Sequence, residues 1–263
     1  MILDKIVAAA KKRVEQAKLC QKDGGVDAKR VNTSFPLTRS TQPLAFEKAL
    51  SKNGLNFICE VKKASPSKGV ISQDFKYRET ALSYEDAGAA AISVLTEPDF
   101  FLGKNEYLTE IKKEAKIPVL RKDFIIDEFQ IYEAKSIGAD AILLICAILS
   151  FDDLKKFMSI AERVCLSCLV EIHNEKEAES ALKAGAKIIG VNNRDLRTFQ
   201  VDLQNSVRLR KLIPEDKIFV SESGIKTKED IVLLKANKVN AVLIGEELMR
   251  SGDIKEKLRQ LNG

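Results

Sequence analysis

The chain of 263 residues contains a single histidine, His173, and that scarcity excludes more than any abundance does. A zinc site needs several His or Cys ligands, and one imidazole cannot complete one around the C-x-x-C pair Cys165 and Cys168, so that pair reads as ordinary packing. Cysteine is also sparse. The five (Cys20, Cys59, Cys146, Cys165, Cys168) sit mostly in apolar strand-like runs with no secretory signal ahead of them, and they are expected to be reduced and buried. No apolar run approaches the roughly 20 residues that cross a bilayer. The first residues read instead as an amphipathic helix carrying Asp4, Lys5, Lys11, Lys12 and Arg13, so a cytoplasmic chain with no membrane partner is expected. Basic tracts are missing too: 43 Lys+Arg against 38 Asp+Glu leave a net charge of +5 spread along the whole chain. That balance favours a small anionic ligand over nucleic acid.

What is present is an apolar supply, 45% hydrophobic beside 31% charged residues, sufficient for a sizeable core. A Gly-Ala step before an apolar run recurs at Gly88-Ala89, Gly138-Ala139 and Gly185-Ala186, and Val239-Asn240 takes its place before 241–245. Glycine there supplies a left-handed helix stop, and the β-branched run after it suits a strand buried on both faces. With further runs at 57–61, 117–120, 166–172 and 218–220, eight candidate strands emerge. Helical patterns fill the gaps, for example 79–86, 128–136, 152–163, 175–183 and 228–235. Strict alternation implies parallel strands joined by right-handed crossovers, and eight units in about 200 residues fit a closed (βα)8 TIM barrel better than an open doubly wound sheet, which stays the alternative. Residues 1–263 are therefore expected to form one α/β barrel domain. Residues 1–50 form an N-terminal helical extension, with Leu3, Ile6, Val7, Ala10 and Val14 at helical spacing, interrupted at Gly24-Gly25, Pro36 and Pro43, that caps the barrel.

Active sites of such barrels lie at the carboxyl ends of the strands, and this chain is polar there. Glu60 and Lys62 end strand one, Lys122 and Asp123 strand three, Glu171 strand five, Asn192 and Arg194 strand six, and Glu222 and Ser223 strand seven. Side chains two apart share a strand face, so Glu60 and Lys62 project together while Cys59 and Val61 point to the helices. Burying carboxylates beside lysines costs free energy unless they pair or bind something, and convergence from separate strands favours catalysis over structural ion pairs. After strands seven and eight, Ser223, Gly224, Gly245 and Glu246 leave backbone N–H groups for an anion, the usual phosphate site of such barrels, which points to a phosphorylated small molecule.

These residues closely resemble the indole-3-glycerol phosphate synthase family. The likeness runs through Ile2-Leu3-Asp4-Lys5-Ile6, Glu60-Val61-Lys62-Lys63-Ala64-Ser65-Pro66-Ser67, Leu95-Thr96-Glu97, Pro118-Val119-Leu120-Arg121-Lys122-Asp123-Phe124, Leu169-Val170-Glu171, Gly190-Val191-Asn192-Asn193-Arg194-Asp195-Leu196 and Ser221-Glu222-Ser223-Gly224-Ile225. The resemblance implies a carboxy-lyase of tryptophan biosynthesis that needs no cofactor or metal and closes the ring of 1-(2-carboxyphenylamino)-1-deoxyribulose 5-phosphate with loss of carbon dioxide and water. It makes Lys122 the general acid of ring closure, its balance set by Glu60 or Asp123. Glu171 becomes the carboxylate of the dehydration stage, and Glu60 and Lys62 the remaining acid, base or electrostatic partners. Ser65, Phe124, Asn192, Arg194, Glu222 and Ser223 would hold the substrate, Phe124 against its aromatic ring. Lys62, Ser223, Gly224, Gly245 and Glu246 would hold its phosphate. The expected partners are that small molecule and other tryptophan-pathway enzymes, with the chain itself a monomer.

The chain departs from many relatives at Glu246, whose carboxylate would repel a phosphate unless only its backbone N–H faces the ligand. His173, two residues beyond Glu171, reads as a strand-end or loop residue in preference to a proton shuttle. The competing readings are a sugar-phosphate isomerase, a Schiff-base aldolase using Lys122 or Lys62 as nucleophile, and an inactive barrel serving as scaffold. A phosphoribosylanthranilate isomerase would need an inward strand-one thiol, and Cys59 has the wrong parity.

Overall fold

The computed structural model describes residues 1–22, 44–195 and 197–262. Eight parallel strands close into a barrel: β1 (Asn56–Val61), β2 (Ala91–Leu95), β3 (Val119–Lys122), β4 (Ala141–Ile145), β5 (Ser167–Ile172), β6 (Ile188–Asn192), β7 (Ile218–Glu222) and β8 (Ala241–Ile244). Each neighbours its sequence successor, and β8 returns to pair with β1, Asn56 beside Ala241 through Cys59 beside Ile244. All eight candidate strands are therefore present within two residues at either end, and the sheet is closed.

Helices α1 (Ile2–Lys22) and α2 (Ala45–Leu50) precede β1. Around the barrel follow α3 (Tyr77–Asp86), α4 (Asn105–Glu114), α5 (Glu128–Ser136), α6 (Phe151–Arg163), α7 (Glu175–Ala184), α8 (Gln204–Arg210), α9 (Lys228–Ala236), α10 (Glu246–Met249) and α11 (Ile254–Asn262). The boundaries have local causes. Asp127, Ser150 and Asn174 cap α5, α6 and α7 through their side chains, Thr227 and Asp230 form a capping box on α9, and Gly185 ends α7 at φ +89°.

Two apolar layers follow from strand parity. Cys59, Val61, Ile92, Val94, Ile142, Leu144, Val170 and Ile172 face the helices in the larger one. Ile58, Leu120, Leu143, Leu169, Val220 and Leu243 fill the barrel interior. Cys59 thus lies as expected, buried and turned outward. The other cysteines correct the expectation of burial: Cys20 is exposed on the last turns of α1, and Cys146, Cys165 and Cys168 are only partly covered, because loop and strand-start positions lie near the molecular surface.

The segment ahead of β1 divides between the two ends of the barrel. Phe46 and Leu50 of α2 are fully buried and join the interior cluster at the strand starts, where Asn56 Nδ2 donates to the Leu50 carbonyl. Helix α1 lies at the opposite, carboxyl end. Its residues Ile6, Ala10 and Val14, spaced four apart, are buried, while Arg13 bonds Glu97 at 2.9 Å and Asp99 at 2.6 Å on the loop after β2 and Lys18 reaches Asp127 at 2.7 Å beyond β3. Gly24-Gly25, Pro36 and Pro43 lie outside the described residues. After β1, Ala64–Ser65 pairs with Gly69–Val70 in a short antiparallel hairpin beside the mouth. Because Phe46 is fully buried in the interior cluster, Phe46→Ala is expected to cost about 3–5 kcal/mol in urea unfolding; a loss below about 1 kcal/mol would remove α2 from the core.

Candidate active site

Inward-facing positions change character at the carboxyl ends of the strands. One level above Ile58, Leu120, Leu169 and Val220 stand Glu60, Lys122, Glu171 and Glu222, two residues on along each strand. Register brings them together: Glu171 lies beside Gly190, Asn192 beside Glu222, and Glu222 beside Leu243. Lys122 Nζ sits 2.5 Å from Glu222 Oε2 and 3.9 Å from Glu171 Oε2, and Lys62 Nζ sits 2.5 Å from Glu60 Oε2. The carboxylates are 1–4% exposed. Two missing side chains make this packing possible, since a Cβ on Gly190 would collide with Glu222 Oε1 and one on Gly245 with Glu60 Oε2.

Three buried carboxylates surround two lysines, so the charges cannot all pair off evenly. Burial alone would lower the Lys122 ammonium, but Glu222, Glu171 and Glu60 outweigh it and hold the lysine protonated well above its ordinary range. For Glu60, burial is likewise overcome, here by Lys62 and Lys122, and its carboxyl stays below the usual value. Glu222 goes the other way. Burial, together with the nearby Glu171 and Glu60 charges, pushes it up to about 7 despite Lys122, and its Oε1 is buried with no hydrogen-bond partner, free to hold that proton or a ligand.

This cluster floors a cavity of about 480 Å³. Of the residues expected at the site, Glu60, Lys62, Ser65, Lys122, Phe124, Glu171, Asn192, Arg194, Ser223, Gly224, Gly245 and Glu246 line it, whereas Glu222 is outside the lining and meets the site through its ion pair with Lys122. Arg194 is anchored, its backbone N–H on Asn192 Oδ1 and its Nη1 3.4 Å from the Phe199 carbonyl. Ser223 holds φ +68°, a left-handed conformation that turns the chain sharply before Gly224. Glu246 heads α10, and its carboxylate lies 3.6 Å from Lys68 and 3.5 Å from Arg250.

Asp123 corrects the expectation that it might tune Lys122. Strand parity turns it outward, where it accepts from Thr96 Oγ1 at 2.6 Å, Arg121 at 3.2 Å and the Phe124 backbone, with Arg13 at 3.6 Å. The apolar walls were not singled out from sequence. Leu95, Phe101, Leu143 and Ile145 face the cavity, and Ile2, Leu3 and Ile6 of α1 close over it. Parity marked the strand residues as inward, but nothing local marked α1 as reaching the mouth. Among the described residues no group of three or more His, Cys, Asp and Glu is arranged to hold a metal ion.

The model of the family described as indole-3-glycerol phosphate synthase matches residues 3–261. The chain belongs to this family. Relatives named indole-3-glycerol phosphate synthase include one from Endomicrobium trichonymphae, 67% identical over 99% of both chains, and one from Ruminiclostridium cellulolyticum, 56% identical over 100% of this chain and 99% of the relative. Membership makes the protein a carboxy-lyase of tryptophan biosynthesis. Solved structures that resemble it at low identity speak to the fold alone: a 3-hexulose-6-phosphate synthase from Salmonella typhimurium has a TM-score of 0.64 at 13% identity, covering 79% of this chain and 97% of its own.

The raised carboxyl of Glu222 has a consequence for stability. A group that binds its proton more tightly when folded contributes fully below pH 4.5 and loses that contribution as pH rises to about 7. Urea unfolding of the wild type is therefore expected to weaken between pH 4.5 and 7 relative to Glu222→Gln; parallel curves would show that Glu222 titrates normally.

Proposed function

We propose that the chain converts 1-(2-carboxyphenylamino)-1-deoxyribulose 5-phosphate into indole-3-glycerol phosphate, carbon dioxide and water by general acid and base catalysis, without a cofactor. The observation that carries this reading is Lys122, a buried ammonium in contact with two carboxylates from other strands and open to a cavity with apolar walls. In the first stage the ring carbon bearing the carboxylate attacks the ketone, and Lys122 gives its proton to the ketone oxygen. A lysine held protonated by Glu222 and Glu171 has that proton to give at neutral pH, and the same charge opposes a Schiff base, which needs the free amine. Loss of carbon dioxide then restores the aromatic ring. In the second stage the former ketone oxygen leaves as water, with Glu171 as its acid and Glu60 and Lys62 as the remaining acid, base or electrostatic partners.

Binding follows the cavity's polarity. Phe124, stacked near Phe101 with ring centres 6.0 Å apart, packs the anthranilate ring, and Arg194 takes its carboxylate. Ser65, Asn192, Glu222 and Ser223 hold the sugar hydroxyls. The phosphate sits on Ser223, Gly224, Gly245 and the Glu246 backbone, with Lys62 as counter-charge. The salt bridges from Glu246 to Lys68 and Arg250 support this, because they keep its carboxylate occupied. In the same reading residues 1–263 act as one barrel domain with 1–50 as its cap, a cytoplasmic monomer whose other partners are tryptophan-pathway enzymes. The Arg13 contacts to Glu97 and Asp99 support the capping role.

The chain has no tryptophan, so indole product can be followed by fluorescence without a tryptophan background. Purified protein given the deoxyribulose phosphate is expected to yield indole fluorescence and carbon dioxide, and a folded sample without turnover would sink the proposal. Lys122→Met is expected to bind ligand yet lose at least about 100-fold in kcat; a near-normal rate would remove Lys122 from its role.

A further inference from the structure

Behind Glu171 lies a chain of groups that the proposed reaction has not used. His173 follows β5 by one residue and shares the inward face of Glu171, with Nε2 3.4 Å from Glu171 Oε1 and Nδ1 3.1 Å from Glu177 Oε2. Glu177, in the first turn of α7, is itself fixed: Oε2 also accepts the His173 backbone N–H at 2.8 Å, and Oε1 accepts Asn174 Nδ2 at 2.7 Å. The His173 carbonyl takes a bond from Asn205 Nδ2 of α8 at 3.2 Å, so the backbone is pinned from both sides.

The geometry dictates where hydrogens sit. A carboxylate only accepts, so Nδ1 carries the hydrogen that faces Glu177. Nε2 is buried and without a hydrogen-bond partner in its present alignment, yet it points at Glu171 Oε1. Two bare lone pairs at that separation repel, whereas one proton between them turns the contact into a charge-assisted hydrogen bond. The other charged group acting on the imidazole is Glu222 across the barrel; the Cys146 thiol after β4 feels the same Glu177 and Glu171 charges, which with burial push it up to about 12 and so keep it neutral.

We propose that Glu177 and His173 form a relay behind Glu171, with His173 as a positioning residue that holds Oε1 and keeps one proton on the shared pair for the dehydration stage. The inference rests on the assignment of Glu171 to that stage. The hydroxyl leaves with one proton from the pair as water, a base in the site takes one from the neighbouring sugar carbon, and that base then releases its proton to solvent while the pair regains one, so the count balances. Burial alone would lower the imidazole, but the Glu177 hydrogen bond and the Glu171 and Glu177 charges outweigh it and raise it. The active, protonated pair therefore persists above the ordinary histidine value and is lost on the alkaline side.

Because His173 is the only histidine, its ring signals in an NMR titration need no assignment. The wild type is expected to titrate above 6.5, the ordinary value, with a lower midpoint in Glu177→Gln and in Glu171→Gln. In kinetics, His173→Asn is expected to lose about tenfold or more in kcat with little change in KM and to abolish the alkaline limb of kcat, which Glu177→Gln moves to lower pH. His173→Asn combined with Glu171→Gln is expected to be no worse than Glu171→Gln alone. An unshifted histidine, or a His173→Asn enzyme with normal kcat and an unmoved limb beside an impaired Glu171→Gln, overturns the relay. A normal kcat in Glu171→Gln instead removes Glu171 from dehydration, and the relay falls with it. Should His173→Asn fail to fold, the Glu177→Gln titration and limb decide alone.

Discussion

Everything at the mouth of this barrel depends on placing three carboxylates and two ammonium groups where water is scarce. Glu60, Glu171 and Glu222 are almost wholly buried, and each would be expelled or neutralised without a cation within reach. Lys62 and Lys122 supply that cation, and in return the carboxylates keep Lys122 charged. The mutual dependence divides the labour: Lys122 retains its proton, Glu60 stays ionised, and Glu222 absorbs the surplus of negative charge. Groups of one chemical kind thereby acquire different states in one small volume, as stepwise acid and base chemistry requires.

The barrel separates this costly arrangement from what stabilises the molecule. At the strand starts Phe46 and Leu50 join the apolar cluster of the interior, while the ion pairs occupy the opposite end. Helix α1 ties the loops at that end to one another through Arg13, whose guanidinium reaches Glu97 and Asp99 after β2 and Asp123 after β3. Since Asp123 directly follows Lys122, the outward network of Arg121, Thr96 and Glu133 braces the very strand end from which the lysine projects.

Strand parity and helix stops are local properties, so the eight strands, the outward Cys59 and the inward series Glu60, Lys122, Glu171 and Glu222 could all be read before any contact was known. Features that depend on distant contacts could not. The short hairpin at 64–70 needs its own ladder, α2 needs the barrel floor, and the Thr96 hydroxyl that occupies Asp123 comes from 27 residues upstream. His173 is the sharpest case. Its parity with Glu171 was visible, but the carboxylate on its other side comes from a helical turn whose orientation no spacing rule reveals. The burial of the cysteines was overestimated for a related reason, because an apolar run says nothing about how near the surface its ends emerge.

Gly190 and Gly245 show how much of the site is made by subtraction. Each leaves a gap in the barrel wall the size of a methyl group, and a carboxylate oxygen from the neighbouring strand occupies it. The two acids are therefore seated by the shape of the neighbouring strand's backbone as well as by the lysines that bond them. One carbon added at Gly190 or Gly245 would re-aim Glu222 or Glu60 with no change to either acid.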